Sequence, residues 1–185
     1  MTGKIVILSG PGGAGKDTVL AEWSHVNPNV VRVVAYTTRA RRNNEIDKVD
    51  YHFVSREKFE QLKTEGYFLE AKEINGNGYA TPQHDMESLV AQGKIAVLKI
   101  DVFGALDVMK LLPEVESIFL APPSIEALRE RMQRRAEITG ESAESIEQRI
   151  KLAEKEMSHA SAYRHIVINH EVEKAVQEIQ AIING

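Results

Sequence analysis

The sequence predicts an α/β fold, a parallel sheet flanked by helices, and three observations carry that reading. Short runs of β-branched residues recur along the chain and are apolar throughout, as expected of strands buried on both faces. Amphipathic segments with helical spacing separate them, which is the alternation of a parallel sheet. The length, 185 residues, suits one domain with small insertions.

Taken in order, residues 4–9 are a buried strand that runs into a glycine-rich turn. Residues 17–26 follow as a helix, stopped by Asn27-Pro28-Asn29. Residues 30–36 are a second strand. Residues 37–50 are polar and basic and read as a loop, and 51–54 as a short strand. Ser55 caps a helix that reaches Glu65, with Gly66 behind it. Residues 67–74 are a strand, and Asn75-Gly76-Asn77-Gly78 is a hairpin-type turn. A helix over 82–92 is closed by Gly93. A strand over 95–101, a helix over 102–111, a strand over 115–120 and a helix over 124–135 follow. Residues 136–142, with Gly140, read as a mobile loop. Ile146, Ile150, Ala153 and Met157 predict a helix over 144–157. A short strand over 166–169 precedes a last helix marked by Val172, Val176, Ile179 and Ile183. The short strands between about 37 and 81 break the alternation and predict a small mixed α/β subdomain inserted in the core.

Composition removes several classes. Lys and Arg number 23 against 27 Asp and Glu, a net charge of −4, which argues against a general nucleic-acid binder but allows a local basic patch. No apolar run approaches the roughly 18 residues of a membrane-crossing helix. No small-residue cleavage site follows the first apolar run, so a strand rather than a secretory leader is expected, and a cytoplasmic protein with it. The absence of cysteine excludes disulfides, thiolate zinc sites and a cysteine nucleophile. The histidines form no H-E-x-x-H pattern, which excludes a zincin.

The chemistry begins at Gly10-Pro11-Gly12-Gly13-Ala14-Gly15-Lys16, a G-x-x-x-x-G-K motif directly after a strand and opening a helix. Glycines let the backbone curl so that several N–H groups converge on phosphate oxygens. The helix N-terminus adds its dipole, and Lys16 a point charge. Asp17 departs from the motif, which has Ser or Thr there to reach Mg²⁺. Either Thr18 supplies a hydroxyl, or the ion sits mainly on phosphates and water.

A second cluster points to an acceptor. Arg39, Arg41 and Arg42 put three guanidiniums in four loop residues, and guanidinium forks suit phosphate. Tyr51 and Tyr79 can hydrogen-bond a phosphate without adding charge. Glu70 sits on a strand, and Asp101 ends a buried one. Ligands bind beyond the carboxyl ends of parallel strands, so Asp101 is expected to face the site. A carboxylate such as Glu70 can accept both N1–H and N2–H₂ of guanine. Taken alone, Tyr51 and Tyr79 are equally readable as ordinary packing and Glu70 as a surface charge, while a merely solvated basic loop is the lesser reading of Arg39, Arg41 and Arg42.

With these residues in view, the chain resembles guanylate kinases along almost its whole length. The resemblance rests on Ser9–Lys16, Thr37–Arg42, Asp50–Val54, Phe68-Leu69-Glu70, Gly76–Tyr79 with Thr81-Pro82, Ile100–Gly104, Ile118–Pro123 and Val167-Ile168-Asn169. It implies a P-loop NTPase core (1–36, 82–128 and 160–185), a GMP-binding subdomain (37–81) and a helical lid region (129–159). It implies transfer of the ATP γ-phosphoryl to GMP, with Mg²⁺. Arg39, Arg42, Tyr51 and Tyr79 would hold the GMP phosphate, and Glu70, Thr81 and Asp101 would read guanine. The Gly10–Thr18 loop would hold the ATP phosphates, and Asn169 would lie near adenine. Lys16, Arg39, Arg131, Arg135 and Arg149 would offset charge as the phosphoryl group moves. The partners implied are ATP and GMP, with no nucleic acid and no membrane; monomer and homodimer stay open.

The chain departs from the family pattern at several positions. Ala35 stands where a serine is common, Ala71 replaces a tryptophan, Gly78 a tyrosine, Ala80 a glycine and Arg41 a proline. The lid loop is about three residues longer than usual. Lys99 replaces an aspartate near the phosphates, so it either takes over charge neutralisation or weakens Mg²⁺ placement. Lost polar contacts relax base selection. Two alternatives therefore stand beside GMP phosphorylation: another nucleoside monophosphate or a sugar phosphate as acceptor, and a non-catalytic binding module. The intact Gly10, Gly15 and Lys16 weigh against the module. A switch GTPase would leave the arginine clusters unexplained.

Overall fold

The computed structural model describes residues 3–43, 45–74 and 76–185. Its central sheet runs β2 (Val30–Arg32), β7 (Ile95–Lys99), β1 (Lys4–Ser9), β8 (Glu116–Ala121), β9 (His165–Ile168), with every neighbouring pair parallel. Alternate residues of these strands feed two cores, as the two-residue repeat of a strand requires. Val6, Leu8, Val97, Ile118 and Leu120 pack with Trp23 of α1 (Lys16–Val26) and Val176 and Ile179 of α7 (Val172–Asn184). Ile7, Ala96, Leu98 and Phe119 pack on the opposite face with Met86 of α3 (Gln83–Ala91) and Ala105 and Val108 of α4 (Val102–Leu111). A third cluster joins α5 (Ile125–Thr139) to α6 (Ala143–Met157) through Leu128, Met132, Ile146 and Ile150. No helix among the described residues is long and apolar enough to cross a membrane.

A second, mixed sheet is ordered β4 (His52–Phe53), β3 (Tyr36–Thr37), β6 (Asn77–Pro82), β5 (Phe68–Ile74), accompanied by α2 (Arg56–Thr64). β3 and β4 are parallel and the other two pairings antiparallel.

Three elements differ from the sequence reading. The run at 30–36 is not one strand. Val30–Arg32 pairs with β7 in the central sheet, whereas Tyr36 and Thr37 pair with β4 and β6 in the second. Continuous β-branched composition says nothing about where a chain changes partners. Residues 77–82 form a strand where the sequence reading has a turn to 78, nothing assigned over 79–81 and a helix from 82, because Asn77, Gly78 and Pro82 are poor strand formers that tertiary pairing with β5 overrides. Of the turn expected at 75–78, Asn75 lies outside the described residues, and Gly76 has the positive φ of such a turn, 74°. Finally, α5 continues to Thr139 and ends on Gly140 at φ 69°, so most of the loop expected at 136–142 is helix.

Candidate active site

The loop from Gly10 to Lys16 leaves the carboxyl end of the central strand and enters α1. Three of its glycines have positive φ and little room for a side chain; at Gly10, φ 139°, a Cβ would meet the Leu120 carbonyl oxygen at 2.2 Å. Gly13 has φ 92°, and a Cβ there would meet Leu128 Cδ1 at 2.9 Å. Gly15, at φ 97°, caps α1, and its Cβ would meet Asn169 Nδ2 at 2.5 Å. Only glycine accepts both the conformation and the approach. No side chain caps α1, so its first-turn N–H groups face outward as an anion cradle. Above it lies a cavity of about 380 Å³ bordered by Gly12, Lys16, Asp17, Thr18, Arg131, Arg135 and Arg149.

Lys16 folds onto the loop, its Nζ donating to the carbonyls of Gly10 (2.5 Å) and Pro11 (3.0 Å). Burial pushes its ammonium down to about 8, against the charge of Glu156, which holds it up. Glu156 of α6 is 7% exposed and accepts a hydrogen bond from Gly12 N at 3.3 Å. Burial keeps its carboxyl above the usual range in spite of Lys16. Sequence reasoning passed over Glu156; the one available signal was a glutamate three residues after Ala153, on the apolar side of the helix.

Asn169, expected near the adenine of ATP, is buried against the loop, Nδ2 donating to Ala14 O at 2.8 Å. Arg131 donates to the Asn169 carbonyl at 2.8 Å. Both residues contact the phosphate loop or its neighbours in this way, and Arg131 also borders the cavity. Arg129, on the same helix, pairs with Glu147 and lines none of the three cavities described here.

A larger cavity of about 780 Å³ opens beside the loop, lined by Arg32, Arg39, Arg42, Arg135 and Arg149 together with Asp17, Tyr51 and Tyr79. Three of these arginines pair with carboxylates: Arg32 with Asp50, Arg39 with Glu45 and Arg149 with Glu141. Glu45 accepts from Arg39 Nη2 at 2.6 Å and from Arg42 N at 2.8 Å, and the Arg39 hydrogen bond keeps its carboxyl below the usual range. Glu141 accepts from Arg149 at 2.7 Å. The Arg32 and Arg39 guanidiniums lie 5.7 and 5.6 Å from the centre of the Tyr51 ring. Arg32, Glu45 and Glu141 carried no motif signal; each is recognisable only from its neighbours in space.

A pocket of about 120 Å³ adjoins this cleft, lined by Ala35, Glu70, Thr81 and Asp101, with Tyr51, Tyr79 and Lys99 at its border with the cleft. Strand β6 supplies Tyr79 and Thr81, and its pairing with β5 brings Thr81 opposite Glu70. The Thr81 hydroxyl donates to Glu70 Oε1 at 2.9 Å. Burial raises the Glu70 carboxyl to about 6, although the Thr81 hydrogen bond works against it. Asp101 caps α4, accepting from Gly104 N at 3.0 Å. Gly78 leaves room for the ring of Phe59, whose Cζ would lie 2.8 Å from a Cβ at 78.

The two departures Asp17 and Lys99 prove to be one feature. Lys99 ends β7, paired in register with Leu8 of β1, so its side chain reaches the first turn of α1 and forms an ion pair with Asp17. Burial raises the Asp17 carboxyl, but Lys99 outweighs it and holds it below the usual range. This bears on Mg²⁺. Asp17 is committed to an ammonium, Glu156 to Gly12 N, and the described residues contain no group of three or more His, Cys, Asp or Glu able to cage an ion. Thr18 borders the loop cavity and offers a hydroxyl oxygen there. The donor set does not fit a protein-built metal site.

Fold and cleft together define a P-loop α/β protein with a second sheet facing its phosphate loop. The family model described as guanylate kinase matches residues 2–185. A guanylate kinase of Pseudomonas fluorescens (strain Pf0-1) is 39% identical over 184 residues, which is 100% of this chain and 88% of that protein. One of Clostridium perfringens (strain SM101 / Type A) is 39% identical, with 98% and 82% covered. The crystal structure of guanylate kinase from Anaplasma phagocytophilum superposes with a TM-score of 0.80 at 35% identity, covering 99% of this chain and 85% of that one. A shikimate kinase from Bacteroides thetaiotaomicron, at TM-score 0.54 and 16% identity over 98% of this chain and 99% of its own, shares the fold alone. The chain belongs to the guanylate kinase family.

Proposed function

We propose that the chain transfers the γ-phosphoryl group of ATP to GMP, giving ADP and GDP. The observation that carries this is the continuity of three spaces: a small pocket that presents Glu70, Thr81 and Asp101, an arginine-lined cleft and a phosphate loop, joined through shared walls. The named relatives, at 39% identity over nearly the whole chain, support the same reaction.

In this reading residues 37–81 are the acceptor subdomain, 129–159 the lid region, and the remainder the core. The ATP phosphates lie on the loop from Gly10 to Thr18, with Lys16 turning from its carbonyl partners to phosphate oxygens. Guanine presents N1–H and N2–H₂ to Glu70, with Thr81 and Asp101 beside it. The GMP phosphate replaces Glu45 at Arg39 and meets Arg42, Tyr51 and Tyr79. One of its oxygens attacks the γ-phosphorus, and the bond from that phosphorus to the departing ADP oxygen breaks. The transferring group needs alignment and neutralisation, which Arg135 and Arg149 supply from the lid side, with little covalent help. Arg131 and Asn169 act by holding the loop in shape. Mg²⁺ enters as part of the MgATP substrate, carried on phosphates and water.

The test is ATP-dependent ADP release across GMP, AMP, dTMP and a ribose phosphate. GMP is expected to show the highest kcat/KM. A different acceptor outrunning GMP overturns the assignment, and an intact, folded chain with no turnover on any acceptor favours a binding module.

A further inference from the structure

Tyr51, Tyr79 and Lys99 line both the small pocket and the arginine cleft. A nucleotide with its base in the pocket passes its 5′ side between these three to reach the loop. Two of them are neutral phenols; Lys99 is the cation of the passage. Its side chain is only 12% exposed and leaves the strand end that lies next to the phosphate loop's own strand. Asp17 takes one of its three N–H donors. A carboxylate in the first turn of α1, beside Lys16, would by itself repel a phosphate, and Lys99 sits on it.

We propose that Lys99 binds the acceptor phosphate at the passage between the base pocket and the phosphate loop, with Asp17 as the positioning residue that aims its ammonium. This rests on the nucleotide-acceptor reading above. It goes beyond neutralisation: a cation that served only to mask Asp17 would be dispensable once Asp17 were neutral.

Calorimetric titration of the full chain with GMP and with guanosine separates the cases, because the ratio of the two affinities isolates the phosphate. Lys99→Met is expected to lower that ratio about 10- to 100-fold, the range of a charge-assisted hydrogen bond, while guanosine affinity stays within about twofold. Lys99→Arg restores most of it. Asp17→Asn lowers the ratio by about threefold, because the ammonium loses its aim; the double variant, freed of the Asp17 charge, recovers at most part of the Lys99→Met loss and stays at least about fivefold below wild type. If Lys99 only masks Asp17, the signs reverse: Asp17→Asn raises the ratio and the double variant returns to wild type or above. That result, or an unchanged ratio in Lys99→Met, overturns the proposal. Guanosine binding also reports folding, and Lys99→Gln carries the comparison should the methionine variant lose it. If the wild type prefers adenosine and AMP to guanosine and GMP, the guanine assignment fails, and the AMP-to-adenosine ratio still decides the role of Lys99.

Discussion

Replacing Glu70 with Gln should make the ligand-free protein more stable and the enzyme worse. The carboxyl is held at about 6 against an ordinary 4.5, chiefly by burial. At about 1.4 kcal/mol for each tenfold change in proton affinity, keeping it ionised above pH 6 costs the ligand-free chain up to about 2 kcal/mol. Glutamine removes that cost and keeps an oxygen for the Thr81 hydroxyl. For a chain of this length, 2 kcal/mol corresponds to a rise in Tm of up to about 4–8 °C. The sign follows from the direction of the shift. A carboxyl raised by folding gives its full support below pH 4.5 and loses it as pH climbs through about 6. The Gln variant should therefore be more stable than wild type at pH 7.5 and no more stable at pH 4.5. Fluorescence of Trp23, the single tryptophan and fully buried, reports unfolding. The same substitution presents an amide donor where guanine presents donors, so KM for GMP should rise by about 10- to 100-fold. A Gln variant less stable at pH 7.5, a gap that widens toward acid, or an unchanged GMP KM would each refute the reasoning.

Three further outcomes are expected. The ratio kcat/KM for ATP should fall above about pH 8 as Lys16 of the free enzyme loses its proton, and Glu156→Gln should move that limb to lower pH by removing the charge that holds the ammonium up. Asn169→Ala should cost about 1–2 kcal/mol of stability and weaken ATP binding while leaving GMP binding unchanged, both readable by calorimetry and thermal melts. A chelator should abolish turnover yet leave the Tm of the ligand-free chain unmoved, because the described residues cage no ion; a fall in Tm would reveal a resident metal.

Much of the site was legible because its signals are local. A G-x-x-x-x-G-K run between a strand and a helix dictates its own backbone, and the positive φ values of Gly13 and Gly15 are the physical content of that motif. Glu70, Tyr51 and Tyr79 were found as residue types suited to an acceptor; Tyr51 and Tyr79 line the wall shared by pocket and cleft, and Glu70 lines the pocket. The strand that carries Tyr79 and Thr81 was not legible, since its stability lies in pairing with β5 rather than in its own residues.

The sequence by itself determined the alternation of strands and helices, the phosphate loop and the basic character of a cleft in a chain of net negative charge, because periodicity, turn chemistry and composition are properties of neighbours along the chain. The tertiary structure decided which of the charges meet. Glu156 reaches Gly12 across 144 residues, and Lys99 reaches Asp17 across 82. The second contact exists because β7 lies beside β1 in the sheet, which sets the end of one strand against the helix that follows the other. Read along the chain, Asp17 and Lys99 are two separate departures from a family pattern. In the folded protein they are one ion pair in the wall of the arginine-lined cleft, because strand order rather than sequence distance fixes which side chains are neighbours.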